Sequence, residues 1–182
     1  MNTLLSAQQL EQGVDDLAAC IRRDYASRPL TVVGILTGSI VLLADLIRRI
    51  DLPLRVGLVQ ASSYRGGATR PGELRINDDL LPDVSGRDVL LVDDIFDTGH
   101  TMVALVEQVK RHGAASVRTA VLLRKQGRQE VDYTPDYIAF DIPDEFVVGY
   151  GLDYRDLYRN LPYLAALEAD ELDQSTPREQ GV

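Results

Sequence analysis

Apolar residues along the chain fall into two kinds of pattern. Leu10, Val14, Leu17 and Ile21 recur at helical spacing, and Ser6 with Gln9 has the form of a capping box at the start of that helix. Leu30 to Leu36 is a short β-branched run that reads as a buried strand, ended by Gly38. Ser39 is placed to cap a helix carrying Val41, Leu42, Ala44, Leu46, Ile47 and Ile50. Leu54, Val56 and Leu58 alternate as a strand does. Val89 to Val92 is the cleanest buried strand, followed by a helix with Met102, Leu105, Val106 and Val109 that Gly113 stops. Val117 to Leu123 and Tyr137 to Ile142 predict two more strands, and Phe146 to Gly151 a short extended piece. Strands alternate with helices, so the expected fold is α/β: a doubly wound, mostly parallel sheet with helices on both faces. In such folds ligands sit beyond the carboxyl ends of the strands, where strand order reverses.

Two stretches break the pattern. From Ala61 to Pro71 the chain is polar, basic and rich in glycine, which predicts a long mobile loop. After Glu168 it is acidic without a buried pattern, so the tail from about residue 169 is expected to fray. No repeat or linker divides residues 1–182, and one domain is expected.

Composition narrows the function. Hydrophobic residues make up 45% of 182, a globular proportion. The net charge of −9 argues against a general nucleic-acid binder, which needs basic surface to displace counterions. It leaves room for a small phosphorylated ligand, because a local site and a divalent metal can reverse the local field. Cys20 is the single cysteine and sits in the apolar stripe of the first helix, where it reads as a small core residue. Met1 to Glu11 has no signal-peptide character, and Ile40–Ile47 is too short to span a bilayer, so the expected place is the cytoplasm, with no membrane partner.

The chemistry concentrates in Val89–Thr101. A buried strand delivers Asp93 and Asp94 to the sheet's carboxyl edge, and Asp97 follows in the turn. Thr98, Gly99 and Thr101 then open a helix, offering free N–H groups, hydroxyls and a glycine for close approach, all suited to a phosphate. Carboxylates repel a bare phosphate. The two halves agree if the ligand carries a phosphate at one end and hydroxyls or a metal further along, as a sugar phosphate does. An ordinary strand-to-helix turn with solvated acids would use the same residue types, so the motif alone remains a hypothesis.

That segment resembles the phosphoribosyl-diphosphate-binding motif of the type I phosphoribosyltransferases. From about Val32 to Tyr158 the chain is similar to the hypoxanthine-guanine branch of that family, through Leu36–Ser39, Ser62–Tyr64, Leu122–Lys125 and Phe146–Tyr154, in order and spacing. The resemblance implies a small hood built from terminal segments beside the sheet. It implies that Asp93 and Asp94 meet the ribose hydroxyls, directly or through Mg2+. Asp97, Thr98, Gly99, His100 and Thr101 would bind the ribose 5-phosphate, with Asp97 near N7 of the purine as acid–base catalyst. Leu36, Thr37 and Gly38 would hold pyrophosphate, often across a cis peptide after Leu36, and Arg159 would reach it. Lys125 would donate to the 6-oxo group, Phe146 would stack on the base, and the Val147 backbone would read its edge. Asp153 would lie near the base and face a second magnesium. Ser62, Ser63 and Tyr64 would belong to a lid.

The implied activity is purine salvage: magnesium-dependent transfer of the 5-phosphoribosyl group from phosphoribosyl diphosphate to hypoxanthine or guanine, by a homodimer or homotetramer. A xanthine-preferring enzyme and a non-catalytic sensor of phosphoribosyl diphosphate are the alternatives. Three positions depart from the pattern: Asp93 where glutamate is common, and His100 and Thr37 where lysine is common. The last puts a family contact between subunits in doubt.

Overall fold

A computed structural model describes residues 1–26, 28–63 and 74–174. Its elements in chain order are β1 (Asn2–Leu5), α1 (Ala7–Tyr25), β2 (Leu30–Leu36), α2 (Ile40–Ile47), β3 (Leu54–Ser63), β4 (Leu74–Asn77) and β5 (Asp88–Phe96), then α3 (His100–Arg111), β6 (Ser116–Lys125), β7 (Tyr137–Ile142), β8 (Val147–Val148), β9 (Leu164–Ala166) and α4 (Ala169–Gln174). Six strands form the main sheet in the order β4-β3-β2-β5-β6-β7. All neighbours are parallel except β4, which runs antiparallel to β3. A second sheet, β1-β9-β8, is antiparallel and joins the two ends of the chain, as the expected hood does.

The main sheet is covered on both faces, which is why β2 and the first half of β5 read as continuous apolar runs. Successive side chains go to opposite sides. Val32, Leu90, Val92, Ala120 and Leu122 pack with α1 and α2. Val33, Ile35, Val89, Leu91 and Val121 pack with Met102, Leu105, Val106 and Val109 of α3. Helix α1 starts at the expected capping box: the Gln9 N–H donates to Ser6 Oγ (3.3 Å), and the Ser6 N–H donates to Gln9 Oε1 (2.9 Å). Cys20 is half-buried against the core on this helix.

Three expectations need correction. Ser39 occupies the N-cap of α2, but its hydroxyl donates to Ile35 O (2.6 Å) and caps nothing, because its backbone is already helical. The expected loop at Ala61–Pro71 begins later than its composition predicts. β3 runs on through Ser62 and Ser63, because β4 supplies a hydrogen-bonding neighbour, with Ser63 opposite Leu74. Tyr64, Arg65 and Arg70 lie outside the described residues. The tail expected to fray from about residue 169 instead starts with α4. It is held by Tyr154 Oη donating to Leu172 O and by the Met1 amino group, 2.6 Å from Glu171 and 3.2 Å from Glu168. Among the described residues no helix is long and apolar enough to cross a membrane.

Candidate active site

The chain leaves β2 toward β3 on one side, while β5 lies on the other, so strand order reverses between β2 and β5. Both carry expected site residues at their carboxyl ends. After β2, the Leu36–Thr37 peptide is cis, as the resemblance implies. Gly38 then lies hard against β5: a Cβ there would fall 1.7 Å from Asp94 Oδ2. Gly151 closes the stack from the other side, since its Cβ would fall 2.1 Å from Gly38 O. Three remote stretches therefore meet at a point too tight for a side chain.

Asp93 and Asp94 are half-buried at the edge of β5. Burial pushes both carboxyls above the usual carboxylate range, and the neighbouring charge of Asp94 pushes Asp93 further. Asp94 is partly compensated by the Ile95 N–H donating to its Oδ1 (2.8 Å) and by the nearby charge of Arg159. Two desolvated carboxyls side by side are short of positive partners, and a metal ion or donor hydroxyls can supply what they lack.

The turn into α3 follows. Gly99 is its N-cap with φ 92°, a left-handed conformation, and an added Cβ would also meet Val131 (2.4 Å) and Phe96 (2.7 Å). The leading N–H groups of a helix have no carbonyl one turn earlier, which leaves them for an anion. Thr98, Gly99, His100 and Thr101 all lie on this turn. The exposed His100 ring turns to Glu130, with Nε2 3.0 Å from Oε2, so its contribution to the expected cradle is its backbone N–H.

Lys125 ends β6 with a mostly buried side chain, its Nζ 3.3 Å from Asp144 Oδ1. Phe146 is 43% exposed, although an apolar aromatic there could equally have been core. Its ring is braced edge-on by Tyr154, with centroids 5.2 Å apart. Val147 is buried in β8. Asp97, Lys125, Phe146, Val147 and Asp153 line one cleft of about 220 Å³, with Asp94 at its edge. Arg159 lies behind it, donating to Gly151 O (2.8 Å) and pairing with Asp153 Oδ1 (2.7 Å). The second Asp153 oxygen accepts from the Asp156 N–H (2.8 Å). Among the described residues no three His, Cys, Asp or Glu side chains converge on a metal position, so Asp153 forms no cluster with Asp93 and Asp94. Two larger grooves, of about 440 and 430 Å³, open beside Cys20 and beside Arg48, and neither contains the acid pair.

Two residues with no role expected from the sequence, Arg128 and Asp144, also lie beside Asp97 and Lys125. Arg128 Nε donates to Asp97 Oδ1 (3.0 Å) and lies 3.7 Å from Asp144. Both residues sit in polar loops, where an arginine or aspartate reads as ordinary surface.

Comparison with known proteins agrees with this geometry. Residues 1–155 match the model of the phosphoribosyl transferase domain. A hypoxanthine-guanine phosphoribosyltransferase of Staphylococcus epidermidis is 44% identical over 169 residues, covering 93% of this chain and 94% of the relative. The crystal structure of a hypoxanthine phosphoribosyltransferase from Staphylococcus aureus superposes with a TM-score of 0.86 at 40% identity, over 93% of this chain and 92% of that one. A hypoxanthine-guanine phosphoribosyltransferase from Bacillus anthracis gives 0.84 at 37%, over 91% and 96%. With the family's domain matched over most of its length and relatives this similar end to end, the chain belongs to the phosphoribosyltransferases, on their hypoxanthine-guanine branch.

Proposed function

We propose that this enzyme transfers the 5-phosphoribosyl group of phosphoribosyl diphosphate to hypoxanthine or guanine, releasing pyrophosphate and forming IMP or GMP. One observation carries the reading. A single cleft at the switch point presents an exposed aromatic ring, an ammonium and a carboxylate beside an acid pair and a helix N-terminus.

Each group has work suited to its chemistry. Backbone N–H groups of residues 98–101 hold the 5-phosphate. Asp93 and Asp94 take the ribose hydroxyls, and they are the residues that would hold magnesium. Two carboxylates suffice, because that ion completes its shell with substrate oxygens and water. The ion's charge, when bound, offsets that of the departing diphosphate. Backbone groups of Thr37 and Gly38 hold the diphosphate, with Arg159 alongside. Phe146 stacks on the base, and Lys125 donates to its 6-oxo group. A 6-amino group is itself a donor there, so adenine is disfavoured. The base nitrogen N9 forms its bond to the anomeric carbon as the carbon–diphosphate bond breaks, with inversion. Asp97 accepts the proton that N7 gives up. Positioning and charge provide the catalysis, and no nucleophilic side chain is required. We further propose that the enzyme is cytoplasmic and a homodimer or homotetramer; sedimentation of the purified protein would test the oligomeric state.

The experiment is to supply phosphoribosyl diphosphate and magnesium with hypoxanthine, guanine, xanthine or adenine separately and follow nucleotide formation. Turnover with hypoxanthine or guanine and not adenine is expected, with activity lost on chelation. Turnover with xanthine alone would reassign the base. Binding of phosphoribosyl diphosphate without turnover on any base would leave a sensor.

A further inference from the structure

The loop between β6 and β7 lies along the turn that opens α3 and touches it residue by residue. Arg128 Nε donates to Asp97 Oδ1 (3.0 Å). The Glu130 N–H donates to Thr98 O (3.0 Å). His100 Nε2 meets Glu130 Oε2 (3.0 Å), and Val131 fills the space that a side chain on Gly99 would need. In this series Arg128 alone touches a group assigned a chemical role.

We propose that Arg128 is a positioning residue, which fixes the carboxylate of Asp97 so that its free oxygen faces the base. The proposal rests on the reading of Asp97 as the proton acceptor. Asp97 lines the cleft and Arg128 does not. Arg128 binds Oδ1 from outside, and among the described residues Oδ2 has no partner. One oxygen is thus held and the other is left without a hydrogen-bond partner among the described residues. A purely stabilising ion pair would be a poor explanation, because side chains 44% and 40% exposed gain little from pairing.

Asp144 extends the arrangement. Its Oδ1 is 3.3 Å from Lys125 Nζ and 3.7 Å from Arg128 Nε. Lys125, Asp144, Arg128 and Asp97 therefore form a chain of alternating charge. Its two ends are the groups that address the 6-oxo oxygen and N7 of a 6-oxopurine, which are neighbours on one edge of the base. The distance between these two groups is set by two residues that touch no substrate.

The test is a double-mutant cycle with both steady-state constants measured. R128Q is expected to lower kcat roughly tenfold or more while KM for base and for phosphoribosyl diphosphate stays within about threefold, since the groups that bind both are retained. R128K should recover most of the loss, and melting temperature should not move. In an Asp97→Asn background R128Q should cost nothing further, because what it positions is gone. An equal fold-loss in both backgrounds, a loss confined to KM, or an unchanged kcat would overturn the proposal. Full activity of Asp97→Asn alone would instead remove the proton-acceptor reading, an outcome visible before Arg128 is touched.

Discussion

Adding one methyl group at Gly38 tests how finely the site is set. The new Cβ would fall 1.7 Å from Asp94 Oδ2 and 2.5 Å from its Cγ, whereas real Cβ contacts stop near 3.0 Å. Something must therefore move by about 1.3 Å. Asp94 has little room to retreat, because it lies within a central strand and the Ile95 N–H holds its other oxygen. The loop cannot easily back away either, because Gly38 O already lies against Gly151. The displacement goes into the substrate-binding region, where a misplacement of about 1 Å can cost on the order of 100-fold. Gly38→Ala should thus lower kcat/KM roughly 100-fold in an initial-rate assay with phosphoribosyl diphosphate and hypoxanthine. Its φ is not left-handed, so alanine adds no backbone strain, and the melting temperature should hold within a few degrees. Activity within about threefold of the parent, with an unchanged melting curve, would refute the reasoning, since catalysis would then not depend on where Asp94 sits.

Three other outcomes are expected. Lys125→Met removes a charged donor worth about 1.5–3 kcal/mol, so kcat/KM for hypoxanthine should fall roughly 10- to 150-fold, as steady-state kinetics would record. Leu90→Ala empties space in a fully buried strand and should cost about 3–5 kcal/mol, lowering the calorimetric melting temperature by roughly 6–20 °C with kcat at 25 °C little changed. Burial alone would raise the Asp45 carboxyl, but hydrogen bonds from Tyr150 Oη (2.6 Å) and Arg48, with the charge of Arg49, hold it below the usual range. A depressed carboxyl contributes stability that is complete above its unfolded value, about 3.9, and is lost as pH falls through the folded one. Tyr150→Phe should therefore lower stability by about 1–2 kcal/mol in urea titrations at pH 7, and the difference should narrow once pH drops below about 4.

The parts of this fold that were legible in the sequence are those whose neighbours cover them completely. β2 has the predicted limits, because a parallel strand enclosed on both faces must be apolar throughout. The α1 boundary was legible because a capping box is a local exchange of hydrogen bonds. β1, β4 and β9 were not legible: they have four, four and three residues, and β1 exists only because β9 lies beside it. Within the site, acids late in a strand and a glycine-opened helix carry local signals, whereas the roles expected of Lys125, Phe146 and Arg159 come from the family resemblance alone. Nothing local marks Arg128 or Asp144. Their pairing depends on two loops meeting in space, and composition carries no sign of that.

The hood sheet has a bearing on synthesis. β1 leaves the ribosome well before its neighbour β9, which begins about 160 residues later. At roughly 5–20 residues per second, the first strand waits on the order of ten to thirty seconds for the chain that hydrogen bonds to it. The segment from Val147 to Asp153, which supplies one wall of the cleft, also emerges late and is anchored by β8 against β9. A nascent chain halted before Leu164 thus has its main sheet but an unanchored wall. Only when β9 emerges is the pairing that holds this wall against the rest of the molecule complete.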